Sequence, residues 1–156
     1  MDLARVFSPE VVLVPLRAAS DDDALRQLVE RLVAAAGLTS PERILERLTE
    51  ETALRATLVG NGAGIVHSRL EELSRPVAAL GVLAPGKSLH LGATLQFVVE
   101  VIFLVLSPVE PPEPHLELVS AIAALVRDEA ALKLLRGAAD PTAAIATLTS
   151  AGGKGR

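Results

Sequence analysis

Two stretches, Val77 to Leu83 and Phe97 to Leu106, are rich in β-branched residues and almost continuously apolar. A strand with one face in water alternates apolar and polar residues, so a strand without alternation has to be covered on both faces. These runs predict central strands of a layered domain, and helices have to supply the layers. Ser20 precedes Asp21, Asp22 and Asp23, an N-cap followed by carboxylates at the positive end of a helix dipole. Leu25, Leu28, Val29, Leu32, Val33 and Ala36 then recur at helical spacing until Gly37 stops them.

The remaining segments fit the same plan. Val11 to Val14 reads as a buried strand ended by Pro15, and Ser40-Pro41-Glu42 opens a second helix through Ile44, Leu45 and Leu48. Pro108 and the run Pro111-Pro112-Glu113-Pro114 form a stiff linker into a helix with Leu118, Val119, Ile122, Leu125 and Val126 on one face. Shorter helices are expected near Glu129 to Arg136 and Pro141 to Leu148. The order predicts one α/β domain over residues 1–150, with helices on both faces of the sheet. Residues 151–156 read as a disordered tail.

Composition narrows the function. A chain of 156 residues can bury a real core. Half of it is hydrophobic while aromatics reach only 2%, so Leu, Val, Ala and Ile must do the packing. A net charge of −4, with no basic cluster, argues against nucleic acid as a partner. The lack of cysteine excludes disulfides, thiolate catalysis and cysteine-ligated metal. The start of the chain has no signal-peptide pattern, and the longest apolar run contains Glu100 and is too short to cross a bilayer. A cytoplasmic protein without membrane insertion, cofactor or metal is expected.

Chemistry concentrates in Gly60-Asn61-Gly62-Ala63-Gly64-Ile65-Val66-His67-Ser68-Arg69. Glycines allow a tight turn and close backbone approach. Imidazole, with an unperturbed pKa near ~6.5, keeps a nucleophilic nitrogen at neutral pH. His67 beside such a turn is a candidate phosphoryl acceptor, and the Gly60 to Gly64 amides are a candidate cradle for the phosphoryl oxygens. A structural histidine is the plainer alternative. His115, just after Pro114, falls in a helix's first turn, where free N–H groups favour an anion, with a solvent-exposed first-turn residue as the plainer alternative that spacing alone favours. His90, in Lys87-Ser88-Leu89-His90, reads as a surface loop residue. A competing motif is Gly81-Val82-Leu83-Ala84-Pro85-Gly86-Lys87-Ser88, which matches the P-loop pattern for nucleotide phosphates. A P-loop requires a helix after Ser88, and Gly92 with its β-branched neighbours argues against one.

The glycine-histidine stretch resembles the Gly-Asn-Gly-Ile-Ala-Ile-Pro-His signature of the fructose/mannitol-type enzyme IIA of the bacterial phosphotransferase system, including its nitrogen-regulatory branch. Leu3 to Leu16, Leu73 to Leu83, and Phe103 to Pro108 followed by His115-Leu116-x-Leu118 are similar to other parts of that family. The resemblance implies a mixed sheet between helical layers, an α/β/α single domain. It implies that His67 accepts a phosphoryl group from an HPr-like phosphocarrier and passes it to an enzyme IIB cysteine, or holds it as a signal to a regulatory target. His115 would lie beside it and hold the phosphoryl group. Thr57, Gly60, Asn61, Gly62 and Arg69 would stabilise it. Val66 stands where the signature has proline, and Leu58 where a glycine follows the threonine. The family's upstream arginine has no clear counterpart, with Arg47 and Arg55 as the nearby cations. A phosphorylation-inactive regulatory module of the same fold is the second reading, and a P-loop nucleotide-binding protein the third.

Overall fold

The computed structural model describes residues 2–54, 57–90 and 98–154, the side chains of 51–60 and 151–154 excepted. Five strands form one mixed sheet: β1 (Val12–Leu16), β2 (Thr57–Gly60), β3 (Ala63–Leu70), β4 (Val77–Leu83) and β7 (Val101–Pro108). Their spatial order is β1-β4-β7-β3-β2. The pairs β1/β4 and β3/β7 are parallel, while β4/β7 and β2/β3 are antiparallel. The first apolar run becomes β4, inside the sheet. The second needs correction: Phe97 lies outside the described residues, and Val98–Val99 belongs to a separate small sheet. After a bend at Glu100 the central strand β7 begins at Val101 and continues through Pro108. All eight residues of β7 are buried.

Strand alternation divides the core in two. Ile65, Leu80, Phe103 and Val105 face α1 (Leu3–Val6), α4 (Glu113–Arg127), α5 (Glu129–Arg136) and α6 (Pro141–Lys154). Val66, Ala79, Ile102 and Leu104 face α2 (Asp21–Ala36) and α3 (Pro41–Leu54). The three-layer α/β/α plan with a mixed sheet is therefore present. With so few aromatics, Phe7 and Phe103 meet edge to face at 5.8 Å in the first layer, and aliphatic side chains fill the rest.

The helix boundaries follow local chemistry. Ser20 accepts the Asp23 N–H, and Gly37 caps α2 at φ 70°, a left-handed conformation that suits glycine. Asp128 accepts from Ala130 and Ala131 to start α5. Two expectations need correction. Strand β1 does not stop at Pro15 but runs on to Leu16, because β1 is an edge strand and a residue without N–H can sit there facing outward. Helix α6 runs past Leu148 to Lys154, into the stretch expected as a tail.

A second, two-stranded sheet pairs β5 (Leu89–His90) with β6 (Val98–Val99) in antiparallel fashion. This corrects the P-loop reading. Gly81 to Leu83 end β4, Pro85-Gly86 turn, and β5 rather than a helix follows Ser88. Gly81 is needed for packing instead: a Cβ there would come within 2.6 Å of Leu16 Cδ2 and 3.3 Å of Leu28 Cδ2. His90 is exposed, as expected, but lies in strand β5 rather than a loop, and its backbone N–H donates to Asp21 Oδ1 at 3.2 Å.

Candidate functional site

The site is assembled by strand parity. On β3, Ala63 and Ile65 belong to the α4 side and Val66 and Leu70 to the α2 side. His67 and Arg69 therefore project towards the α4 side, and both are half-buried. In the parallel pairing with β7, His67 lies beside Val105 and Arg69 beside Ser107. Ser107 shares the parity of Val101, Phe103 and Val105, so it points to the same side. This is the carboxyl end of a parallel strand pair, where open α/β sheets gather ligands. A short proline-rich turn then leads from β7 into α4, bringing His115 back over the strand ends.

His115 is buried, with 5% of its surface exposed. Its Nδ1 lies 2.6 Å from Ser107 Oγ. Its ring centroid is 5.3 Å from that of His67, and the planes cross at 61°. Arg69 Nη1 donates to the Pro108 carbonyl at 3.0 Å, which holds the guanidinium along the rim. Burial pushes the His115 pKa down to about 4, helped by the neighbouring Arg69 charge and by His67. At neutral pH this imidazole carries one proton. The pair is thus a half-buried imidazole backed by a neutral one, with a cation alongside.

Helix α4 adds an anion-friendly end. Pro112 is its N-cap and offers no side-chain cap, while Glu113 and His115 carry first-turn N–H groups that Pro114 lacks. Two histidines and a guanidinium thus lie together beside a helix start at the C-terminal edge of a mixed sheet, surroundings that favour an anion.

Comparison with known proteins agrees with this geometry. The description "Phosphoenolpyruvate-dependent sugar phosphotransferase system, EIIA 2" matches residues 5–151. The chain belongs to this enzyme IIA family. Its relatives include a nitrogen regulatory protein of Bradyrhizobium diazoefficiens, 28% identical over 95% of both chains. Another is a nitrogen regulatory protein of Pseudomonas aeruginosa, 30% identical over 80% of this chain and 79% of that one. A fructose-specific EIIA component of Haloferax volcanii is 25% identical over 90% and 91%. Among solved structures, IIA-Ntr from Neisseria meningitidis superposes with a TM-score of 0.83 at 20% identity, covering 94% of this chain and 99% of that one. The complex of the mannitol IIA with phosphorylated mannitol IIB from Escherichia coli contains a chain that matches with a TM-score of 0.74 at 15% identity, covering 92% and 99%.

In this IIA domain the structure gathers His67, His115 and Arg69, but not the glycine turn. Asn61 (φ 54°) and Gly62 (φ 74°) form the two-residue hairpin turn between β2 and β3, the geometry that an Asn-Gly pair favours. His67 lies five residues further along β3 than Gly62, about 16 Å at strand rise. The turn is occupied as well. Asn61 Nδ2 donates to the Val126 carbonyl at 2.9 Å, Arg136 Nη1 donates to the Asn61 carbonyl at 2.8 Å, and the Gly62 carbonyl accepts from Glu100 and Val101. Gly60 pairs with Ala63 in the β2/β3 ladder. Gly60, Asn61 and Gly62 therefore shape and anchor the hairpin that carries His67, and the expected amide cradle is not beside His67.

Thr57 pairs in register with Ile65, and its side chain lies outside the described residues, as does Arg55. Arg47 lines a cleft of about 130 Å³ with Thr39, Arg43, Leu70 and Glu72. Sequence reasoning passed over Ser107. The signal was available: a lone hydroxyl closing an otherwise apolar buried strand has to find a partner there.

Proposed function

We propose that this chain is a phosphocarrier in which a nitrogen of His67 accepts a phosphoryl group from the phosphohistidine of an HPr-like carrier. It then passes the group to a cysteine of a separate IIB protein, or keeps it as a signal to a regulatory target. The observation that carries this reading is the His67–His115 pair at 5.3 Å, set with Arg69 at the strand ends. Balance is simple: the donor P–N bond breaks, a P–N bond to His67 forms, and the donor imidazole leaves with its electron pair. Such a transfer needs alignment and charge stabilisation more than a base. His67 supplies the lone pair. Arg69, with guanidinium N–H groups beyond the one on Pro108, and the α4 start meet the phosphoryl oxygens. Neutral His115 meets them without presenting a competing protonated ring. The match to a IIA–IIB complex from Escherichia coli supports a IIB protein as acceptor, and the nitrogen-regulatory relatives support the signalling branch.

A phosphorylation-inactive module is the second reading. Val66 at the signature proline and the lack of a clear counterpart to the upstream arginine favour it. Intact mass after incubation with a phosphoenolpyruvate-charged carrier system separates the two. One added phosphate is expected, labile in acid and stable in mild base as a phosphoramidate is, and absent from His67→Ala. An unchanged wild-type mass would favour the inactive module, and phosphate retained on His67→Ala would remove His67 as acceptor.

A further inference from the structure

We infer that the Ser107 hydroxyl is a positioning group that fixes the tautomer of His115, donating its proton to Nδ1 so that the ring offers Nε2–H as a donor at His67. What this donor does during transfer rests on the phosphocarrier reading. Where the proton sits does not.

The argument begins with burial. Ser107 is 0% exposed on a strand whose neighbours are Val105, Leu106 and the β3 ladder. A buried hydroxyl has one proton and two lone pairs, and an unused donor is costlier than an unused lone pair. The side-chain partner of Ser107 is His115 Nδ1, at 2.6 Å. That length suits a hydroxyl donating to a basic nitrogen. The opposite assignment, with Nδ1–H donating to Oγ, would leave the serine proton without a hydrogen-bonded acceptor among the described residues, in a dry place.

The consequence reaches the reacting centre. Arg69 lies beside Ser107 in the β3/β7 register and faces His115 together with His67, so a second proton on the His115 ring is disfavoured. With one proton, Nδ1 and Nε2 cannot both donate. If Ser107 claims Nδ1 as an acceptor, the proton must be on Nε2, the one nitrogen left for anything bound at His67. A phosphoryl group is an acceptor, so Nε2–H stabilises it, whereas a bare Nε2 would repel its oxygens. Ser107 therefore acts on the phosphoryl group through His115 without touching it.

Proton–nitrogen correlation spectra of the imidazole rings test the proton placement, and the hydrolysis half-life of phosphate on His67 tests its use. In the wild type, His115 should show a protonated Nε2 and an acceptor Nδ1. In Ser107→Ala the ring should become a mixture of tautomers, and the half-life should shorten roughly threefold to tenfold. Ser107→Thr, which keeps the hydroxyl, should restore both. Should Ser107→Ala fail to fold, Ser107→Cys, similar in shape with a weaker donor, replaces it and should shift the tautomer in the same direction. A wild-type His115 protonated on Nδ1, or a tautomer indifferent to losing the hydroxyl, would overturn the inference. A shifted tautomer with an unchanged half-life would overturn the positioning role. Failure of the wild type to take up phosphate would strike the carrier reading, while the spectra would still decide the role of Ser107.

Discussion

At the scale of single residues, the feature with the clearest physical consequence is the unusual acidity of protonated His115. Its folded pKa of about 4 lies below the ordinary histidine value near ~6.5. Between those two values the unfolded chain binds a proton at this position that the folded chain refuses. Stability therefore falls as pH drops through this window, and the contribution of this residue is fully present only above it. His115→Asn should remove that component. Chemical denaturation at pH 7 and again near pH 4.5 should show the wild type losing more of its midpoint than the variant. Carboxylates titrate in the same range, but they are common to both proteins, so the difference isolates His115. Equal losses would mean that the folded state protonates His115 as readily as the unfolded one does. His67 and His115 are singled out together through the family resemblance, one after the glycine stretch and one after a helix-opening proline, and the structure brings their rings to 5.3 Å. The sequence did not reveal Ser107, because pairing a strand end with a helix start is a matter of register and of the turn between them, and neither is a local property.

Among the elements, boundaries set by caps and glycines were legible because their causes are local. Ser20 and Gly37 bracket α2 as their side chains and dihedrals require, and α5 spans the expected residues. The extension of β1 through Pro15 was not legible, since it depends on β1 lying at the edge of the sheet. The fate of the glycine stretch was misread for a similar reason. A short run of glycines is compatible with an anion nest or with a hairpin turn, and only the long pairing of β3 with β7 shows that the turn is at the far end from His67. Gly81 tests how far packing between elements, rather than local conformation, governs this fold. Its missing Cβ is what allows Leu16 of β1 and Leu28 of α2 to close over β4, and both leucines are buried. Gly81→Ala should cost about 1–3 kcal/mol, because the leucine ends have to move within a packed layer. Ser20→Ala, which removes one helix cap, should cost about 1 kcal/mol. Urea unfolding of the two variants should rank Gly81→Ala as the more damaging. The reverse order would mean that the leucines relax freely and that the β1–β4–α2 contact is looser than its geometry implies.

On the scale of the whole molecule, the sheet keeps the two phosphate-like motifs of the sequence apart and gives them different surroundings. The strand ends of β3 and β7 lie beside the start of α4, so His67 has a second histidine as neighbour and Arg69 two residues along the same strand face. The Gly81 to Ser88 match instead ends β4 and turns into the small β5/β6 sheet, with no helix start directly after it among the described residues. The helix start tied to that sheet is that of α2, and it carries Asp21, Asp22 and Asp23, with Asp21 already accepting the His90 N–H. Three carboxylates there would repel a triphosphate at neutral pH. Lys87 does line a cleft of about 210 Å³ with Arg17, Leu83 and Leu89, but β5 follows Ser88 where a P-loop requires a helix. Calorimetry on the unmodified protein should therefore show no magnesium-dependent ATP binding, and Lys87→Ala should leave phosphorylation of His67 unchanged in rate. Tight ATP binding that disappears in Lys87→Ala would overturn this division of labour. Phosphorylation slowed in Lys87→Ala without any ATP binding would point elsewhere, to a carrier surface that reaches round from the β3/β7 strand ends to the β4 turn.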